Sequence, residues 1–201
     1  MKKTTLVLLG VTFAVLLAVL LGMLAYTVFL VFNNSAPQQN LQNETGGMMG
    51  SGMMSDQIES EHDFLVHMIA HHEEAVSSAG ILKENSEREE MKKFADDIIK
   101  TQSAEIEQMK IWLETWYPND DHTVDYQPMM RDLTKLQGDA LDQAFLQDMI
   151  FHHMDAVMMS QQLISGGFVE HSEVIPFATT IRNTQRDEIH MMRNWLSEWF
   201  V

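Results

Sequence analysis

From residue 57 onward, the chain carries a hydrophobic pattern that is typical of packed helices. In two segments, mostly apolar residues recur at alternating steps of four and three. These positions are Phe64, Met68, His71, Ala75, Ser78 and Leu82 in the first segment, and Ile98, Gln102, Glu105, Met109, Trp112 and Trp116 in the second. Such spacing keeps the residues on one face of a helix, so both segments are predicted to be helical.

The same two segments occur a second time. Residues 64–76 match residues 145–157 through the motif Phe-Leu-x-x-Met-Ile-x-His-His-x-x-Ala-Val. Residues 101–116 match residues 184–199 through Thr-Gln-x-x-Glu-Ile-x-x-Met-x-x-Trp-Leu-x-x-Trp. An internal repeat of this size indicates a duplicated supersecondary unit, here a helical hairpin.

Turn residues separate the predicted helices. Ser86-x-x-Glu89 has the spacing of a capping box, which predicts that Ser86 caps the second helix. Gly166 and Gly167 are expected to end the third helix. We therefore predict an all-α four-helix bundle over residues 57–201, with repeat one at 57–118, a connection at 119–138 and repeat two at 139–201.

The first 56 residues differ in composition. Lys2 and Lys3 precede an apolar stretch of 27 residues, from 6 to 32. A bilayer core needs about 20 apolar residues, and the apolar region of a cleavable signal peptide is shorter than this stretch. We expect residues 1–32 to be a cytoplasmic stub and a single transmembrane signal anchor, with an extracytoplasmic remainder; a removed signal peptide is the alternative.

Residues 33–56 are expected to form a flexible linker, since they are rich in glycine and polar residues. The linker contains four methionines, at Met48, Met49, Met53 and Met54. Thioethers are soft ligands that suit monovalent copper. These residues are therefore candidates for capturing metal ions, with a chance run of methionine and glycine as the alternative.

Charge and cysteine content narrow the chemistry. All 29 acidic residues but only 11 of the 13 basic residues follow the apolar stretch, which leaves the remainder with a formal charge of −18. This charge argues against nucleic acid as a partner and attracts cations. There is no cysteine, so a soft-metal site would have to use methionine or histidine.

The predicted helix faces contain polar residues that need partners when buried. His71 and His152 lie in the middle of their faces, and Glu105 and Glu188 lie on the faces of the partner helices. The simplest arrangement is that these groups bind one another, either directly or through a metal. Hydrogen-bonded core histidines without a metal are the alternative.

Residues three and four apart are neighbours on a helix, which brings one methionine beside each histidine pair. The predicted ligands are Met68, His71, His72, Met149, His152 and His153. A second group of candidates comprises His67, Glu105, Met109, Glu188, His190 and Met192. In that group the glutamates could be ligands or could orient an imidazole. A His/Met set without thiolate favours copper in either oxidation state, with silver as its mimic, and the lack of Glu-x-x-His weighs against a di-iron centre.

Residues 57–201 resemble the DUF305 family, whose best-known members are the CopM-type copper-binding proteins, because both repeats carry the combined motif. The resemblance implies a ferritin-like bundle, an extracytoplasmic location and copper or silver binding through the six ligands above, in copper resistance. Repeat one has Ser77 and Ser78 where repeat two has Met158 and Met159. This difference leaves room for two sites of unequal affinity or use.

Three functions remain open on this evidence. The first is a membrane-anchored copper sequestration or delivery protein without enzymatic activity, whose downstream partner would be a copper exporter, a chaperone or an oxidase. The second is a ferritin-like metal-dependent oxidase. The third is a helical interaction module. Hydrolysis and phosphoryl transfer have no support, since the sequence offers neither a nucleophile–base set nor a phosphate-binding loop.

Overall fold

A computed structural model describes residues 58–200 of the 201-residue chain. The described part forms four α-helices and contains no strand. They are α1 (Glu61–Asn85), α2 (Glu89–Trp116), α3 (Gly138–Gly166) and α4 (Val174–Trp199). The predicted all-α, four-helix architecture is confirmed. The expected membrane anchor and linker lie outside the described residues, and none of the four helices is long and apolar enough to cross a membrane.

The structure confirms one predicted helix boundary and contradicts another. Gly167 adopts a left-handed conformation (φ 73°) and ends α3 as expected. The predicted capping box is wrong, because Ser86 already ends α1 and the N-cap of α2 is Arg88. The Ser86 Oγ instead accepts a hydrogen bond from the backbone N of Arg88, at 3.1 Å.

Each hairpin pairs its two helices, and the hairpins meet along α1 and α3. The core consists of two apolar clusters. One contains Phe64 and Met68 of α1, and the other contains Ala75 and Leu82 of the same helix. Along α3 the order of the clusters is reversed, so α1 and α3 run antiparallel. In both helices, the histidine pair lies between the two clusters.

A buried carboxylate joins the hairpins at one end of the bundle. Glu61 is fully buried and accepts hydrogen bonds from the backbone N of Glu170, at 2.7 Å, and of His171, at 2.9 Å. The imidazole of His171 stacks on Trp116, with ring centroids 3.8 Å apart. The first helix of one hairpin thus holds the turn of the other.

The duplication places a similar contact at the opposite end. Asp142, which matches Glu61 in the repeat, is also fully buried. Its Oδ2 lies 3.4 Å from Nε of Arg88, in the turn of the first hairpin. The guanidinium of Arg88 lies 4.8 Å from the ring centroid of Trp199. Both hairpins therefore use a carboxylate, a turn residue and a tryptophan to close the bundle.

Candidate metal centre

Four fully buried histidines occupy the middle of the bundle: His71 and His72 on α1, and His152 and His153 on α3. Adjacent residues of a helix point in directions about 100° apart, so the two members of each pair have different surroundings. The first histidine of each pair faces the other hairpin. The second faces the partner helix of its own hairpin.

The first histidines form a central stack. The rings of His71 and His152 have centroids 3.6 Å apart and are inclined by 32°. Nε2 of His71 lies 2.9 Å from the carbonyl oxygen of His152 and 3.9 Å from Asp155 Oδ2. Nε2 of His152 lies 3.3 Å from Glu74 Oε2. Glu74 and Asp155 are equivalent in the repeat, so each hairpin supplies a carboxylate to the histidine of the other.

The second histidines pair with the glutamates that the sequence placed on the facing helices. Nε2 of His72 lies 2.9 Å from Glu105 Oε2, and Nε2 of His153 lies 2.7 Å from Glu188 Oε2. This is the position expected of a carboxylate that orients a ligating imidazole.

These contacts determine which ring nitrogen carries the hydrogen. In all four histidines Nε2 faces a carbonyl or carboxylate oxygen, which can only accept, so we assign the hydrogen to Nε2. In a neutral ring with this tautomer, Nδ1 has a free lone pair. Within residues 58–200, none of the four buried Nδ1 atoms has a hydrogen-bond partner. Four unpartnered nitrogens in one core are unusual, since most buried polar atoms are paired.

The central rings are held in the neutral form that binds metals. Burial lowers the pKa of His71 well below its usual value, and the neighbouring histidines lower it further. Burial also lowers the pKa of His152 to about 4, although its contact with Glu74 acts in the opposite direction. Both imidazoles are therefore uncharged near neutral pH, and their Nδ1 lone pairs are available without loss of a proton.

Glu74 connects this centre to the long connection between the hairpins. Its carboxylate accepts hydrogen bonds from the Tyr126 hydroxyl and from the backbone N of Met129 and of Met130, each backbone bond at 2.9 Å. Burial alone would raise the pKa of Glu74. The contacts from His152, Tyr126 and the two amides outweigh it and lower the pKa to about 2. Glu74 is thus an ionised anchor for the connection.

The sequence reading missed Glu74 and Asp155. Both lie three residues after the first histidine of their pair, so each repeat contains a His-x-x-acid motif. This is the reverse order of the Glu-x-x-His pair found in di-iron bundles. Residues three apart share a helix face in either order. The repetition of the spacing was therefore the available signal.

Buried methionines accompany each histidine pair. Met68, Met109, Met149 and Met192 are all fully buried. Met68 and Met109 belong to the same apolar cluster, and Met149 and Met192 belong to the other. Each hairpin therefore buries two thioethers in the apolar cluster next to its histidines, and their role as ligands stays a prediction.

Other predicted residues lie apart from this centre. His67 is half-buried, and its Nε2 lies 3.1 Å from Asp63 on the same helix. His190 is exposed on α4, and the linker methionines lie outside the described residues. In the described part of the chain, no three His, Asp or Glu side chains converge closely enough to hold a metal ion. A site built here would depend on methionine sulfur beside neutral imidazole, which is a donor set for soft ions.

A family model described as "Domain of unknown function (DUF305)" matches residues 61–196. The chain belongs to the DUF305 family. No curated protein matches it. Among solved structures, CopM in the Cu(I)-bound form is 29% identical, with a TM-score of 0.65, and the match covers 72% of this chain and 100% of CopM.

Other DUF305-like structures agree with this fold. CopM in the Ag-bound form is 29% identical with a TM-score of 0.63, covering 72% of this chain and 100% of CopM. Its Cu(II)-bound form is 30% identical with a TM-score of 0.61, covering 70% and 98%. A DUF305 protein of Streptomyces coelicolor is 26% identical with a TM-score of 0.61, covering 69% of this chain and 93% of that one. The DUF305 family and the four-helix all-α fold are confirmed.

Proposed function

We propose that this chain binds copper through its duplicated Met/His core and acts in copper sequestration or delivery, without enzymatic activity. One observation carries the proposal. The four buried imidazoles turn Nε2 towards a carbonyl or carboxylate oxygen and leave Nδ1 without a hydrogen-bond partner among the described residues. The similarity to CopM, which was solved with Cu(I), Ag and Cu(II), supports the same conclusion.

The donor set favours a soft ion. Thioether sulfur and neutral imidazole nitrogen suit Cu(I), with Ag(I) as its mimic, and imidazole also suits Cu(II). Four carboxylates surround the histidines and would offset the charge of a bound ion. The hydrogen bonds of Glu105 and Glu188 orient the rings of His72 and His153, which is the role that outer groups have in metal sites. The predicted ligands are Met68, His71, His72, Met149, His152 and His153.

The cellular setting is proposed from the sequence. The 27-residue apolar stretch after Lys3 is long enough to hold the chain in a membrane as a single-pass anchor. The positive-inside rule then places the bundle outside the cytoplasm. In that location, a copper exporter, a chaperone or an oxidase would be the downstream partner.

Metal titration tests the histidines. Native mass spectrometry of the metal-free full-length chain should show stoichiometric uptake of Ag(I) and Cu(I). Replacement of all four buried histidines by alanine should abolish high-affinity uptake, whereas His190→Ala should not, because His190 is exposed. Unchanged uptake in the fourfold variant would refute the site. Imidazole ¹⁵N shifts of the metal-free protein should report hydrogen on Nε2, and a hydrogen on Nδ1 would contradict the assigned ligand atom.

Leucine substitutions test the methionines with little change in volume. The double variant Met68→Leu/Met149→Leu should bind Cu(I) more weakly, because each replacement removes one sulfur but preserves packing. Met91→Leu is the matched control, since Met91 is also fully buried but lies on α2 far from the histidines in sequence. Equal affinities of the double variant and the control would exclude a role for these sulfurs.

One observation favours a second function. Histidine–carboxylate pairs at the centre of a four-helix bundle are also a feature of ferritin-like oxidases. In this chain the carboxylates are Glu74, Glu105, Asp155 and Glu188. The oxidase alternative predicts that Cu(I) or Fe(II) added to the protein is oxidised with oxygen consumption above the buffer rate. Binding without turnover would exclude it.

A further inference from the structure

Two histidines outside the core lie together at the end of the bundle where Glu61 joins the hairpins. His62 is the second residue of α1, and His122 lies in the connection that follows α2. Their ring centroids are 5.4 Å apart, and the rings are inclined by 46°. His62 precedes His71 by nine residues, which is about 14 Å along a helix. The pair is therefore separate from the candidate metal centre.

Tyr117, the residue that ends α2, contacts both histidines. Its ring lies edge-on to the ring of His62, with centroids 5.1 Å apart. Its carbonyl oxygen lies 2.9 Å from Nε2 of His122 and also accepts a hydrogen bond from the backbone N of Asp120, at 3.1 Å. Its hydroxyl donates to Oε1 of the buried Glu61, at 3.1 Å. The contact that closes this end of the bundle therefore also positions the two imidazoles.

Each ring has one nitrogen available to a ligand. The carbonyl oxygen of Tyr117 can only accept, so we assign the hydrogen of His122 to Nε2, which leaves a lone pair on Nδ1 of the neutral ring. Nε2 of His62 is buried and has no hydrogen-bond partner among residues 58–200. Since most buried polar atoms are paired, this nitrogen lacks the partner that a bound ion would supply.

The spacing of the rings fits a shared metal ion. Imidazole nitrogen binds Zn(II) at about 2.0–2.1 Å, so two ligating rings at a tetrahedral angle have centroids about 5 Å apart. No group of three His, Asp or Glu side chains forms a metal site in the described part of the chain. We therefore assign two protein ligands and leave the other positions of the ion to water. A donor pair of imidazole nitrogens suits borderline divalent ions such as Zn(II) and Cu(II).

The surroundings of the pair favour a cation that arrives from solvent. His122 is exposed and borders an open groove between α1 and α2. Its hydrogen bond to Tyr117 places it at the carbonyl end of α2, where the helix dipole is negative. The two residues before it, Asp120 and Asp121, are acidic and exposed. These charges attract cations to this end of the bundle.

The second hairpin shows that folding does not require this pair. The residue equivalent to His62 is Gln143, and the residue equivalent to Tyr117 is Phe200. The second hairpin nevertheless packs its helices in the same way and closes the opposite end of the bundle. The packing of a hairpin thus does not explain why a histidine occupies position 62.

We propose that His62 and His122 bind one divalent metal ion of the Zn(II) and Cu(II) class at the end of the bundle. The ligand atoms are Nε2 of His62 and Nδ1 of His122. This site uses nitrogen ligands and none of the buried core histidines. It can therefore be tested separately from the proposed function, which concerns soft ions in the core.

Calorimetric titration of the metal-free full-length chain in mild detergent with Zn(II) tests the proposal. His62→Gln introduces the residue that the second hairpin already carries, and His122→Gln changes an exposed side chain, so both variants should fold. Each should lower the Zn(II) affinity about tenfold or more, because each removes a donor that is already held beside the other. His190→Gln is the matched control, since His190 is exposed on α4, and it should bind Zn(II) like the wild type.

Two further measurements separate this site from the core. Uptake of Ag(I) by His62→Gln and His122→Gln should equal that of the wild type. In ¹⁵N spectra of the wild type, the first equivalent of Zn(II) should shift Nε2 of His62 and Nδ1 of His122. Unchanged Zn(II) affinity in either variant would overturn the shared site. Shifts confined to the buried core histidines would overturn it as well, because the ion would then be bound in the core.

Discussion

Substitution of Glu74 tests the most connected side chain of the centre. Glu74→Gln keeps the shape of the side chain but removes the charge that His152, Tyr126 and two backbone amides stabilise. An amide also presents an NH₂ group where the carboxylate presents an acceptor, so one donor would lose its partner. We therefore expect the metal-free variant to be less stable near neutral pH.

The size of the effect follows from linkage. The pKa of Glu74 falls from 4.5 to about 2 in the folded protein, and each pKa unit corresponds to about 1.4 kcal/mol. Ionised Glu74 would therefore contribute at most about 3 kcal/mol. Its side chain is 12% exposed, and solvent screening lowers the expected cost of the substitution to about 2–3 kcal/mol.

The effect of pH has a defined sign. Because the folded pKa is depressed, the contribution is complete above 4.5 and is lost as the pH falls towards 2. At pH 3 only about 1 kcal/mol should remain. Urea unfolding of the wild type and of Glu74→Gln at pH 7 and pH 3 measures both differences. A difference below about 1 kcal/mol at pH 7, or one that does not shrink at pH 3, would refute the assigned role.

Substitutions at four further positions test other parts of the structure by chemical denaturation. Glu188→Gln should destabilise the protein less than Glu188→Ala. Only alanine leaves the buried Nε2–H of His153 without an acceptor, which should lower the free energy of unfolding by about 1–3 kcal/mol. Glu188→Ala should also lower the Ag(I) affinity, measured by calorimetry, about 10- to 100-fold. Burial raises the pKa of Asp142, so its ionised form costs stability above pH 3.8. Asp142→Asn should therefore be more stable than the wild type at pH 7. The gain should vanish as the pH falls below 3.8, where the carboxyl group is protonated in both the folded and the unfolded state. Gly167→Ala should destabilise by about 1 kcal/mol because of its positive φ, whereas Gly80→Ala, inside α1 with open space around it, should stabilise by a similar amount.

The heptad-like spacing was sufficient to predict the helices, because most residues at these positions are ones that the bundle buries. The start of α2 could not be predicted in the same way. Ser86 has the right spacing to Glu89 for a cap, but the turn has only three residues, and Ser86 is used to end α1. A serine in this position can either end the first helix or cap the second, and the path of the chain through the turn determines which of the two it does.

The sequence predicted the elements of the site better than the contacts between them. It placed Glu105 on the helix that faces α1 but suggested His71 as its partner, whereas Glu105 binds His72. The contact of His152 with Glu74 depends on how α1 crosses α3, which the spacing of residues does not specify. The unpartnered Nδ1 atoms also required atomic positions, because a seam histidine looks the same in sequence whichever nitrogen is bonded.

The central stack changes the expectation of two separate sites. The rings of His71 and His152 are 3.6 Å apart, so ions bound by the two histidine pairs would lie close together. Two unit charges about 8 Å apart repel by about 2 kcal/mol at an effective dielectric constant of 20. The second ion should then bind about 30-fold more weakly than the first. If repulsion is the cause, His71→Ala/His72→Ala should leave one site with the affinity of the first wild-type step. If the ligands of the two repeats differ intrinsically, removal of the pair in repeat one and removal of the pair in repeat two should give unequal remaining affinities.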